Sequence, residues 1–150
     1  MTGLQRAAIV LAMLAAAAVS VRGQENSAAG RIKVVSGAAF VVREGKSIPA
    51  QIGQVVFEAD ALRTESDGRV GITLKDDTRI ALGPNSEVRL ARFVYAPADG
   101  HLAVVLNLVR GVAAYVSGQI AKLSPDAVRL ETPAAIVGVR GTSLALRVQP

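Results

Sequence analysis

The chain has 150 residues, 51% hydrophobic and 19% charged, a globular composition with room for one domain. It has no cysteine, one histidine and 3% aromatic residues. That excludes disulfide frameworks, thiolate metal sites, cysteine nucleophiles and lipid attachment at a cysteine.

The N-terminus reads as an address. Met1 to Arg6 carries one positive charge, Ala7 to Val21 is apolar apart from Ser20, and Arg22 and Gly23 open a polar segment. This order predicts a helical secretory signal peptide over residues 1–23 and a linker over 24–29. Cleavage after Ser20, Gly23 or Ala29 satisfies the small-residue rule. A helix as long as the apolar run reaches only about 22 Å, short of the ~30 Å hydrocarbon core. A periplasmic or secreted location follows, with membrane anchoring only if the leader is kept and no stable insertion once it is removed. With Arg6 and Arg22 gone, 15 basic residues face 12 acids and the charge falls from +5 to +3. The arginines are scattered without interleaved aromatics, so a nucleic-acid partner is not expected.

From Gly30 onward the dominant period is two. Val70, Ile72 and Leu74 alternate with Arg69, Gly71 and Thr73, and the pattern returns at Ile80 and Leu82, Val88 and Leu90, Val128 and Leu130, and Leu144, Leu146 and Val148. Alternation puts one face of an extended chain on a core. Ala38 to Val42 and Leu102 to Val109 are apolar on both faces and read as buried strands; the second also fits a helix on periodicity alone. Turn residues recur every seven or eight positions, at Gly37, Gly45, Gly53, Asp60, Gly68, Asp76 and Gly83. Asp67-Gly68 and Asp99-Gly100 predict hairpins. Gly83 to Ser86 (GPNS) predicts a turn in which Asn85 takes the left-handed region. No capped helical stretch is expected after residue 30. The spacing predicts an all-β, single-domain β-roll, a solenoid-like stack of short strands.

The order of these motifs resembles the FecR-type family over residues 30–148. Gly30 to Gly37 (GRIKVVSG) opens with a short strand closed by glycine. Gly53 to Thr64 (GQVVFEADALRT) resembles the central strand, and Asp76 to Leu82 (DDTRIAL) the Asp-Gly-Thr turn and strand that follows. Gly83 to Leu90 (GPNSEVRL), Thr132-Pro133 and Val137 to Thr142 (VGVRGT) fit the remaining turns. Two positions depart: Ala59 and Asp77 stand where the family carries glycine. The resemblance implies an extracytoplasmic β-rich module. In the best-known members it is the periplasmic part of an iron-uptake regulator that relays the state of an outer-membrane receptor to a sigma factor. That relay needs a cytoplasmic segment and a membrane helix. Only about six residues precede the apolar run here, so the domain is expected to carry over without the relay.

Candidate sites have two readings each. In Val137 to Thr142, Arg140 is either a charged anchor for a partner or acidic ligand, or a structural residue pairing with a turn acid such as Asp60 or Asp76. Gly138 and Gly141, which allow a tight coil around Arg140 and Thr142, favour the structural reading. Asp60, Asp67, Asp76 and Asp77 supply oxygens of the kind calcium takes, but the Gly-Asp repeats of calcium-binding rolls are missing and aspartate is common at turns. His101 reads as a turn histidine with no partner nucleophile. Ser36, Ser66, Ser86, Ser117 and Ser143 sit at turns or strand ends, and Glu44 with Glu58 forms no recognisable acid pair. Tyr115, within Gly111 to Lys122, is either an exposed recognition side chain or a strand residue with its hydroxyl at the coil edge. No cofactor, metal or catalytic residue is expected.

The resulting expectation is a non-catalytic exported module that binds an envelope protein or cell-wall polymer. The physics would be β-augmentation at an open edge strand with arginines on the rim. The alternative is an accessory of extracytoplasmic signalling linked to outer-membrane uptake. A hydrolase is the contrasting class.

Overall fold

Aliphatic residues at every second position cannot all be buried by one flat sheet, so the sheet must curl over its own apolar face. The computed structural model of the chain describes residues 27–139 and 141–149, and shows this arrangement. The expected signal peptide, the first half of its linker (residues 24–26) and Arg140 lie outside the described residues.

Twelve strands form one continuous sheet: β1 (Ala28–Ser36), β2 (Ala39–Arg43), β3 (Lys46–Pro49), β4 (Val55–Phe57), β5 (Ala61–Thr64), β6 (Arg69–Leu74), β7 (Arg79–Leu82), β8 (Glu87–Ala96), β9 (His101–Val116), β10 (Val128–Glu131), β11 (Ile136–Gly138) and β12 (Ser143–Val148). The order is β3-β2-β5-β8-β9-β7-β6-β1-β4, with β10 and β12 also on β9 and β11 on β10. Every pair is antiparallel except β10 with β9. The chain is therefore all-β as expected, and its strands lie in one curled antiparallel sheet where a solenoid-like β-roll was expected.

β9 joins the two layers. Its first half pairs with β8 and β10, its second half with β7 and β12. The change of layer falls at Gly111, whose φ of +84° suits glycine. A Cβ at Gly111 would collide with the Ser86 side chain. Just before it the register slips, from Glu87 opposite Arg110 to Val88 opposite Leu108. Such a bulge bends a strand and increases its twist. Ser86, fully buried in the β7–β8 turn, completes the corner: its hydroxyl accepts from Val112 N at 2.8 Å and donates to Pro84 O at 2.9 Å.

The core fills the space between the layers. Ile32, Val41, Val56, Ile72, Leu82, Val104, Leu106, Ile120, Val128 and Leu130 are all buried. Each fully buried aliphatic side chain stabilises by about 1.5–3 kcal/mol. The alternating positions named from sequence in β6, β7, β8 and β10 are the ones that point inward.

Three local expectations need correction or refinement. Residues Leu102 to Val109 are strand, not helix. Asp99-Gly100 does close the β8–β9 hairpin, with Gly100 at φ +71°. Asp67-Gly68 does not close one: β5 and β6 lie in different layers, Gly68 is not left-handed, and the turn is a corner. Asp67 Oδ1 accepts from Ala38 N at 3.3 Å, and Glu65 N donates to Ala38 O at 3.0 Å, so the residues read as a hairpin loop instead pin the β1–β2 connection. Finally, a five-residue helix, α1 (Gln119–Leu123), follows β9. It is too short to show a helical period and it draws its cap from elsewhere in the chain.

Candidate interaction surface

The acids singled out from sequence are structural nodes. Asp60 is buried and takes a two-point fork from Arg43, Nε to Oδ1 at 2.9 Å and Nη2 to Oδ2 at 2.8 Å. Oδ2 also accepts from Phe57 N at 2.9 Å, and the Arg43 guanidinium lies 4.7 Å from the Phe57 ring centroid. The hydrogen bond to Asp60 pushes the Arg43 pKa above its ordinary value, against an opposing effect of burial. Asp60 was one of two acids expected to pair with Arg140, which lies outside the described residues; the fork on Asp60 comes from Arg43. No spacing rule distinguishes Arg43 among so many arginines, so sequence reasoning missed it.

Asp76 is bonded by its own turn and by the start of α1. Its Oδ1 accepts from Thr78 N at 3.1 Å, and its Oδ2 accepts from Thr78 Oγ1 at 2.7 Å and from Ile120 N at 3.1 Å. The carbonyl of Asp76 accepts from Gln119 N at 2.7 Å. This carboxylate therefore serves as the N-terminal cap of α1 across 44 residues of sequence. Asp77 projects into solvent with φ +68°, and Ala59 has φ +74°. The two departures from the family pattern thus sit where glycine is the unstrained residue. Among the described residues no group of three or more histidines and acids is placed to hold a metal ion.

The other named positions fall as follows. His101 is exposed at the first position of β9. Glu58 Oε2 accepts from Phe93 N at 3.0 Å, and Glu44 occupies the β2–β3 turn at φ +51°. Tyr115 is a strand residue, but only 3% exposed, so neither an exposed recognition role nor a hydroxyl at the edge fits. Burial pushes its phenol pKa up. Ser117 and Thr78 lie close enough to soften that shift, yet the hydroxyl closes no well-formed hydrogen bond. Gly141 and Thr142 are latched to the end of β9: Ser117 Oγ donates to Gly141 O and Ser117 N to Thr142 O, both at 2.8 Å.

That latch sets β12 in place. Among the described residues β12 pairs with β9 along one side only, from Ser143 opposite Val116 to Val148 opposite Gly111. Its Leu144, Leu146 and Val148 turn inward and stay half-buried, while Ser143, Ala145 and Arg147 are exposed. In an antiparallel ladder, alternate residues bond the partner strand. With Thr142 O taken by Ser117 N, residues 144, 146 and 148 bond β9, and the N–H and C=O groups of Ser143, Ala145 and Arg147 face outward. Beside this edge an apolar seam opens between Leu144, Leu146 and Leu130. The larger groove over Pro125, Val128, Arg129 and Ile136 is open and carries one carboxyl, Asp126. Edge backbone and seam can receive a strand; they offer no assembled acid, base and nucleophile.

The family described as FecR protein matches residues 60–150. The chain belongs to the FecR family. The match starts at Asp60, the receiver of the Arg43 fork, and runs through β12, so β1–β4 lie ahead of it while sharing the same sheet. No curated protein and no solved structure matches the chain. No helix of the described residues is long and apolar enough to cross a membrane.

Proposed function

We propose that this FecR-family chain is an exported, non-catalytic binding module of the cell envelope, and that it takes an extended strand of a protein partner onto β12. The observation that carries this reading is the one-sided pairing of β12 beside a half-buried apolar seam. An incoming strand would satisfy the outward N–H and C=O groups of residues 143, 145 and 147 and cover Leu144 and Leu146. Membership of the FecR family supports a second reading, in which the strand belongs to a signalling partner of an outer-membrane uptake system.

Export is proposed from the leader at residues 1–23. Ala29 is buried at the start of β1 and its carbonyl accepts from Lys75 N at 2.8 Å. Cleavage after Ser20 or Gly23 spares that strand, whereas cleavage after Ala29 would cut it.

The test is Ala145→Pro. Proline at an outward-facing edge position removes a donor that β9 does not use. The variant should keep its dichroism spectrum and lose capture of its envelope partner in a crosslinking pull-down. Capture equal to wild type would refute binding at this edge.

A further inference from the structure

The layer β12-β9-β7-β6-β1 has an outer face on which side chains of one sign collect. Its exposed charged positions are Arg31 on β1, Arg69 on β6, Arg79 on β7 and Arg147 on β12, with Lys33 at the β1 bulge. No aspartate or glutamate occupies any of these five strands. Among the described residues, no carboxylate lies within ion-pair distance of Arg69, Arg79 or Arg147; Arg31 donates to Gly53 O at 3.0 Å. The opposite layer keeps its signs mixed, pairing Arg63 with Glu65 and Arg110 with Glu87.

Register arranges these arginines on two rims. Arg31 and Arg79 both flank Thr73, on one rim. Arg69, four residues back along β6, and Arg147, opposite Val112 of β9, lie on the other. Four residues of strand separate the rims by about 13 Å. Between them Ala81, Ala114 and Ala145 are direct cross-strand neighbours, all exposed, so nothing bulky stands on the midline from β7 to β12; Val34 of β1, opposite Gly71, closes its far end.

We propose that this face binds an acidic, extended segment of a partner protein. A chain lying along the midline sends alternate side chains to opposite sides. Its carboxylates then reach arginines on both rims, in the two-point geometry that guanidinium favours. The floor between Ala81 and Ala145 crosses two strand spacings, about 10 Å, which an extended segment covers with roughly three residues. The outward positions carry no aromatic ring on which a sugar could stack. Alanines are too short to enter an acyl layer, and the two exposed valines of this face are isolated from each other: Val34 ends the midline at β1, opposite Gly71, and Val116 stands on the rim opposite Arg79. This reading uses side chains where the β12 reading uses edge backbone, and either can fail alone.

The test is fluorescence anisotropy of a labelled peptide of alternating glutamate and serine, titrated with the full purified protein. Wild type should bind, more weakly as salt rises. Arg79→Glu with Arg147→Glu should weaken binding by at least about tenfold, since like charges oppose the carboxylates. Ala114→Leu, which raises the floor, should weaken it too. Arg89→Glu on the opposite layer should leave it near wild type. All these positions are exposed, and unchanged dichroism checks the fold. Equal binding by the double arginine variant and Arg89→Glu would overturn the proposal. Stronger binding to phosphatidylglycerol vesicles or polygalacturonate at equal charge would overturn it as well.

Discussion

Arg43 grips Asp60 through two parallel hydrogen bonds of 2.9 and 2.8 Å, and so fastens the end of β2 to the turn after β4. β2 belongs to one layer and β4 to the other, so the fork is a clasp between layers. Arg43 remains about one third exposed and Asp60 is almost fully buried. Removing the cation leaves the buried carboxylate with Phe57 N alone. Arg43→Ala should therefore destabilise the fold by about 2–3 kcal/mol, the lower end for a broken buried pair because solvent reaches one partner. Arg43→Lys should lose about half as much, since an ammonium cannot form the fork. Urea denaturation measures both.

Two residues occupy the left-handed region where glycine would be unstrained. Ala59, at φ +74°, has no side-chain oxygen to compensate, whereas Asp77, at φ +68°, does. Ala59→Gly should stabilise by about 1 kcal/mol and Asp77→Gly by less. Thermal melts of the two variants should rank them in that order.

The corner of β9 depends on a missing side chain. Gly111→Ala places a methyl group against Ser86 at a positive φ, which should cost at least about 2 kcal/mol. Ser86→Ala leaves Val112 N without its acceptor and should cost about 1–3 kcal/mol. In the double variant the costs should sum to less than the two singles, because Ser86→Ala removes part of the collision.

Tyr115 gives the stability an alkaline limb. Its folded-state pKa is raised, mainly by burial, so the phenol is held protonated more firmly in the folded chain than in the unfolded one. That contribution is fully present below the unfolded value near pH 10 and is lost as pH rises through the folded one. Tyr115→Phe should remove this part of the alkaline slope. At neutral pH it should change stability by less than about 1 kcal/mol, since the hydroxyl has no hydrogen bond to lose.

Period-two alternation in β6, β7, β8, β10 and β12 was readable because burial of one sheet face imposes it residue by residue. The turns at Gly37, Gly45 and Gly53 were readable for a similarly local reason, since each needs a positive φ. Connectivity across the layers was not. Asp67-Gly68 has hairpin chemistry but serves a corner, because pairing partners are chosen by which faces can be buried together. The cap of α1 comes from Asp76, 44 residues before Ile120, and no local pattern reports it. Arg43 escaped for the same reason: the Asp60 fork is a tertiary fact, and its two ends share no spacing rule.

The proposal that β12 receives a partner strand is tested most directly by amide hydrogen exchange. In the protein alone, the amides of Ser143, Ala145 and Arg147 should exchange quickly, while those of Leu144 and Leu146 are protected by β9. Adding solubilised envelope fraction should slow the first three amides and leave β3, an end strand of the other layer, unchanged. Fast exchange at 143, 145 and 147 with the fraction present would contradict the account.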